Sequence, residues 1–164
     1  MKELIIFGKK YKPFGKRRDK IQKELNSIFK ETKGRKSNAI IQEFLSNLLY
    51  EELAKIYDEI INDSKVDIFG DLDFEIVKSI DKKRSRIAKI KGKKIIVKLN
   101  AVCLPRKALK YIVAHEMAHL ITKKHGKYFI KVLRAFYPAY VKGEKVLKDY
   151  EKLLKKGFMQ AKKW

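Results

Sequence analysis

Cysteine is almost missing from this chain. Cys103 is the only one, which excludes an intrachain disulfide, and a lone thiol in neutral apolar surroundings reads as a small core residue in a reducing compartment. Cytoplasmic location is the expectation that follows. Long apolar runs are missing too: the opening MKELIIFGKKYKPF has only four apolar residues before charge returns, too few for a signal-peptide core or a membrane span. No membrane partner is expected. Internal repeats and low-complexity tracts beyond a general lysine bias are absent. Acidic residues are scarce, 19 Asp+Glu against 41 Lys+Arg for a formal charge of +22, a balance that steers a protein toward polyanions such as nucleic acid. Arginine is itself scarce, confined to Arg17, Arg18, Arg35, Arg84, Arg86, Arg106 and Arg134. Readers of phosphates and bases favour its bidentate fork, so a lysine-rich solvated surface competes with functional polyanion contact.

At 164 residues and 45% hydrophobic content, the chain can bury one core and is short for two. KELIIFGKKY reads as a short strand closed by Pro13 and Gly15. Ile21, Leu25 and Ile28 recur at helical spacing from Arg17 until Gly34. A longer helix begins near Ser37 and Asn38 and ends at Asp63 and Ser64, with Ile41, Phe44, Leu45, Leu48, Leu49, Ile56 and Ile60 as its apolar stripe. Residues 65–99 alternate β-branched and charged residues: KVDIF and DFEIVKSI as strand material around Gly70, then RIAKI–KGK–KIIVKL as a hairpin turning at Gly92. Pro105 prepares a helix from Arg106 to Ile121, with Leu109, Val113, Met117 and Leu120 on its core face. Two further amphipathic helices follow, one through Phe129, Ile130, Leu133 and Phe136, the other through Val146, Leu147, Tyr150, Leu153 and Leu154, before a frayed tail.

The helix over 106–121 contains His115-Glu116-Met117-Ala118-His119. Residues four apart lie about 40° apart around a helix, so both imidazoles point one way and can grip one zinc ion, while Glu116 stands to the side within reach of the metal's water. After a five-residue run, Leu120 to Lys124, His125 can fold back as a third nitrogen ligand. Three protein ligands leave the fourth position open, as in catalytic rather than structural zinc sites. A His-Glu-x-x-His string also arises by chance. Here, however, the only three histidines of the chain fall within eleven residues, and the apolar Tyr-Ile-Val-Ala before them would bury His115 and Glu116 unless they had a purpose. Glu144 is the alternative third ligand, and Tyr128, Tyr137, Tyr140 and Arg134 are candidate donors to a developing oxyanion. Cys103 lacks a designated partner and reads as core; Asp67, Asp71 and Asp73 read as turn chemistry.

The run Pro105, Tyr111, Ile112-Val113-Ala114-His115-Glu116-Met117-Ala118-His119-Leu120, followed by His125-Gly126-Lys127-Tyr128-Phe129, closely resembles the YgjP-like metallopeptidase domain, a relative of the SprT-like and WLM metallopeptidases. The similarity extends to Leu99-Asn100 and Tyr137-Pro138; it is tight over about 95–140, loose over about 40–155, and leaves residues 1–35 uncovered. It implies a compact zincin-like α+β domain, in which a small, mostly antiparallel sheet packs on an active-site helix flanked by N- and C-terminal helices. It further implies zinc on His115, His119 and His125, and Glu116 as catalytic acid/base. Residues 36–164 would form that domain and 1–35 an extension packed with it. The family's Trp-Gly-Ser element is replaced by RSRIAKIK at 84–91, and Thr122 stands where a metzincin needs glycine. Peptide-bond hydrolysis is the leading expectation. Proteolysis of DNA-bound proteins directed by the basic surface, and metal-dependent hydrolysis of a nucleotide phosphoanhydride, are the alternatives.

Overall fold

In a computed structural model, residues 3–32, 37–66, 72–82 and 86–156 are described. Gly34, Gly70, Asp67, Asp71, the first residues of RSRIAKIK and the tail from residue 157 lie outside them. The N-terminal segment is a hairpin rather than one strand: β1 (Leu4–Ile6) pairs antiparallel with β2 (Lys9–Tyr11). Phe7 and Gly8 turn it, both at positive φ, 50° and 82°, the two-residue geometry that matches strand twist. The usual Asn-Gly or Asp-Gly pair is absent, so the sequence carries little sign of the turn. Phe7 N–H and Gly8 N–H donate to the carbonyls of Val102 and Cys103, which sets the hairpin against the middle of the chain.

Helix α1 (Lys20–Thr32) starts where the Asp19 carboxylate accepts the Gln22 N–H at 2.9 Å, an N-cap that the helical periodicity alone does not mark. Helix α2 (Ser37–Ser64) buries Ile41, Leu45, Leu49, Leu53, Ile56 and Ile60 completely. Each such side chain contributes about 1.5–3 kcal/mol of apolar transfer. Lys65, at φ 56°, ends the helix in a left-handed residue.

The sheet has the order β3–β5–β4, from β3 (Asp73–Val77), β4 (Ala88–Lys91) and β5 (Lys94–Lys98). No strand begins at Lys65 or Val66. The β4–β5 hairpin turns at Gly92, φ 62°. β3 pairs parallel with β5, because the chain first passes to the far edge as β4 and then returns into the middle. Of the three strand pairs described, β1–β2 and β4–β5 are antiparallel, so the small sheets are mostly antiparallel. The central strand β5 is buried from Ile95 to Lys98, a continuous run instead of an alternation, as expected for a strand covered on both faces.

A 3₁₀ segment (Leu99–Cys103) leads to Pro105 at the N-cap of α3 (Arg106–Ile121). α3 packs against α2, β4, α4 (Lys127–Phe136) and α5 (Tyr140–Asp149), so Ala108, Leu109, Val113, Ala114, Met117 and Ala118 have no exposed surface. The last amphipathic stretch is broken at Tyr150 into α5 and α6 (Glu151–Lys156). Asn100 Nδ2 donates to the Leu154 carbonyl, tying α6 to the 3₁₀ segment. Cys103 is fully buried, and burial pushes its thiol up to about 12, which leaves it an inert core residue. Among the described residues, no helix is long and apolar enough to cross a membrane.

Candidate metal centre

The centre is built on the C-terminal half of α3 and the corner that follows. His115 and His119, one turn apart, have ring centroids 4.7 Å from each other. After Ile121, Thr122 turns the chain in extended conformation, φ −145° and ψ 132°. The short corner then returns His125 to within 4.6 Å of the His119 ring and 5.3 Å of the His115 ring, centroid to centroid. One ring nitrogen from each histidine lies within 4.8 Å of the others, and Nε2 of His119 and Nε2 of His125 are 2.9 Å apart. A divalent cation held at about 2 Å from each nitrogen separates neighbouring ligand atoms by about 3 Å, so this donor set fits one. His115 and His119 are half-buried and His125 is exposed, which leaves the cluster open on one side. Burial, and then the positive charge that His115 and His125 would carry, hold His119 below the ordinary imidazole value, offset in part by Glu116. The neutral, ligating form is thereby favoured.

Phe129, in the first turn of α4 and 2% exposed, is the floor of the cluster. Its ring lies 5.1 Å from His115, 4.8 Å from His119 and 4.7 Å from His125, edge-on to the first and last. Apolar periodicity places Phe129 in the core but does not reveal that one ring supports three imidazoles. Glu116 is 9% exposed, and its Oε1 lies 3.6 Å from Nδ1 of His115. Glu144 is not part of the cluster: its Oε2 accepts the Tyr111 hydroxyl at 2.9 Å. The Tyr111 ring in turn packs 5.6 Å from His115, and burial followed by the Glu144 hydrogen bond raises its phenol. That support one turn before the first histidine is a second feature that sequence reasoning missed. Among the candidate oxyanion donors, Tyr137 is buried beneath the Lys110 ammonium, 5.1 Å from its ring, whereas Tyr128 is exposed. Asp73, from the acidic group near Gly70, accepts the Tyr50 hydroxyl and the Phe74 N–H. A cleft of about 450 Å³ between α1 and α2, lined in part by Phe7, Ile21, Phe44 and Leu48, contains none of the histidines.

Residues 2–150 match the YgjP-like, metallopeptidase domain. The class is therefore a metal-dependent peptidase, which implies a divalent metal and a peptide or protein substrate. The chain belongs to the YgjP-like metallopeptidase family, and the match includes the N-terminal residues that the sequence resemblance left uncovered. The chain is also similar to the crystal structure of the metallopeptidase zymogen jannalysin of Methanocaldococcus jannaschii, at 26% identity and a TM-score of 0.47 over 62% of this chain and 96% of that one. Comparison with curated proteins finds no match.

Proposed function

We propose that the protein hydrolyses peptide bonds with zinc held by His115, His119 and His125 and with Glu116 as general base. The observation that carries this reading is the convergence of three imidazole nitrogens within 4.8 Å, with a largely buried carboxylate beside them, in a chain of metallopeptidase family. Three neutral imidazoles suit zinc among the divalent metals. When bound, the metal supplies Lewis acidity that polarises the scissile carbonyl and makes a water nucleophile available near neutral pH. Glu116 receives the proton of the attacking water and returns it to the leaving amine nitrogen. Its low exposure keeps bulk water from competing for that proton, and its position next to His115 in the sequence keeps it off the ligand set. Phe129 holds the three rings in place from below, and the Tyr111–Glu144 hydrogen bond braces the helix one turn upstream.

Metal content and turnover, measured together on Glu116→Gln and His119→Ala, test the assignment. Glu116→Gln is expected to keep its zinc and lose about 10²–10⁴-fold in kcat, the usual contribution of a general base. His119→Ala is expected to lose both metal and activity. Wild-type turnover in Glu116→Gln, or an unchanged zinc content in His119→Ala, would refute it.

A further inference from the structure

The positive charge of this chain is unevenly distributed. Residues 82–143, which carry α3, the corner and α4, contain 18 Lys+Arg and one acidic residue, Glu116; the other 102 residues contain 23 Lys+Arg and 18 Asp+Glu. The excess in the site-bearing stretch is thus +17 of the total +22. The first part of that stretch is partly neutralised in the fold. Arg86 and Lys89 face Asp81, Arg106 reaches Glu52 and Glu59, and Lys110 reaches Glu59.

From Lys123 to Arg134 the described residues show no such compensation. Lys123, Lys124, Lys127, Lys131 and Arg134 are all exposed, and among the described residues no carboxylate lies within ion-pair distance of any of them. Lys124 adjoins His125 in the chain, and Lys127 opens the helix whose Phe129 underlies the three imidazoles. Lys123, Lys124 and Lys127 all fall within two residues of His125, whereas Lys131 and Arg134 share the face of α4 turned away from Phe129. The three lysines within two residues of His125 act on whatever lies in the open site, within the roughly 10 Å reach left by about 0.1 M salt.

We infer that the site selects peptide segments rich in Asp and Glu, held by the unpaired lysines around His125. This rests on the peptidase reading above and names its substrate class. A polynucleotide would also meet a positive surface, but the rim is almost wholly lysine, which lacks the planar fork that phosphate contacts favour. The family chemistry acts on peptide bonds, and a carboxylate-bearing peptide places its charges at the rim while its backbone occupies the centre.

The test uses three fluorogenic peptides identical except at the residues flanking the scissile bond, which are Asp/Glu, Asn/Gln or Lys. The zinc-loaded wild type is compared with Lys123→Glu/Lys124→Glu/Lys127→Glu and with a remote reversal, Lys10→Glu/Lys23→Glu/Lys30→Glu. Selectivity is read as a ratio of kcat/KM on the same preparation, so altered metal loading cancels. Binding is read separately by fluorescence anisotropy in the Glu116→Gln background. The wild type is expected to prefer the acidic peptide over the neutral one by about tenfold or more at low salt, and to lose that preference at high salt. The rim reversal should abolish the preference and the remote reversal should keep it. Equal cleavage of acidic and neutral peptides, or a preference untouched by the rim reversal, would overturn the inference and leave peptide hydrolysis standing. If no peptide is cleaved, the peptidase reading fails, and the anisotropy arm alone decides the surface: tighter binding of the acidic peptide, lost on rim reversal, supports it. A single-stranded oligonucleotide of equal charge that binds more tightly than the acidic peptide and displaces it would overturn the inference in favour of nucleic acid.

Discussion

The two ends of α3 are built on different principles. Its N-terminal half is tied to its neighbours by charge. Arg106 donates to Glu52 and Glu59, Lys110 donates to Glu59, and Tyr111 donates to Glu144, each at 2.7–2.9 Å. Its C-terminal half and the corner beyond carry cations with no described partner and three imidazoles whose nitrogens face one another. The first half spends its polar groups on holding the helix in place. The second leaves its polar groups free for ligands, and a helix anchored at one end can present such groups at the other without losing their geometry.

Close packing of α5 on the anchored half offers the most damaging way to break this contrast. A Cβ at Gly143 would meet the Lys107 carbonyl oxygen at 2.6 Å and both Tyr111 Cβ and Tyr137 Cε2 at 2.9 Å. Gly143→Ala is therefore expected to cost about 1–3 kcal/mol in denaturant unfolding, the range for overpacked sites. It should also lower metal affinity through the displaced Tyr111. Unchanged stability would mean that α5 is free to retreat and does not brace the site.

Phe129→Leu probes the other half. A swap of similar volume in the core costs below about 1.5 kcal/mol, yet it removes the ring against which the three imidazoles pack. Zinc affinity is expected to fall about tenfold, the lower end for supporting groups around a ligand set, as read by competition with a chromogenic chelator. If affinity stays at the wild-type level while stability falls, Phe129 serves the core alone.

Glu59→Gln has the smallest expected effect, since the Glu59 side chain is 35% exposed; on a surface pair of this kind about 0.5–1 kcal/mol is at stake. Hydrogen bonds from Lys110 and then Arg106 hold the Glu59 carboxyl below its ordinary value of 4.5. A depressed folded value stabilises the protein above that ordinary value, and the contribution disappears as pH falls through the folded one. The stability difference between wild type and Glu59→Gln should accordingly be present at neutral pH and vanish in acid. A difference independent of pH would assign it to packing.

Several of these features could be read before any coordinates. The extent of α2 followed from a stripe of apolar residues three and four apart, and the Arg106–Ile121 helix from Pro105 and its own periodicity. The β4–β5 hairpin is marked by Gly92 between two runs rich in β-branched residues. Other features left no local trace. The Phe7–Gly8 turn uses a pair that is not a standard turn signal, the parallel β3–β5 pairing depends on β4 taking the far edge of the sheet, and the break at Tyr150 interrupts a stretch that reads as one helix.

The sequence by itself determined what depends on residues close along the chain: the helix carrying His115, Glu116 and His119, the facing of its two histidines, and the surplus of lysine. Only the tertiary structure decided which residues far apart in the chain meet. It brought His125 back across a corner, set Phe129 beneath three rings, turned Glu144 toward Tyr111 instead of the histidines, and left the lysines around His125 without an ion-pair partner among the described residues. Helical facing is fixed by a repeat of 3.6 residues, whereas convergence and charge pairing depend on the packing of whole elements, which no short window of sequence contains.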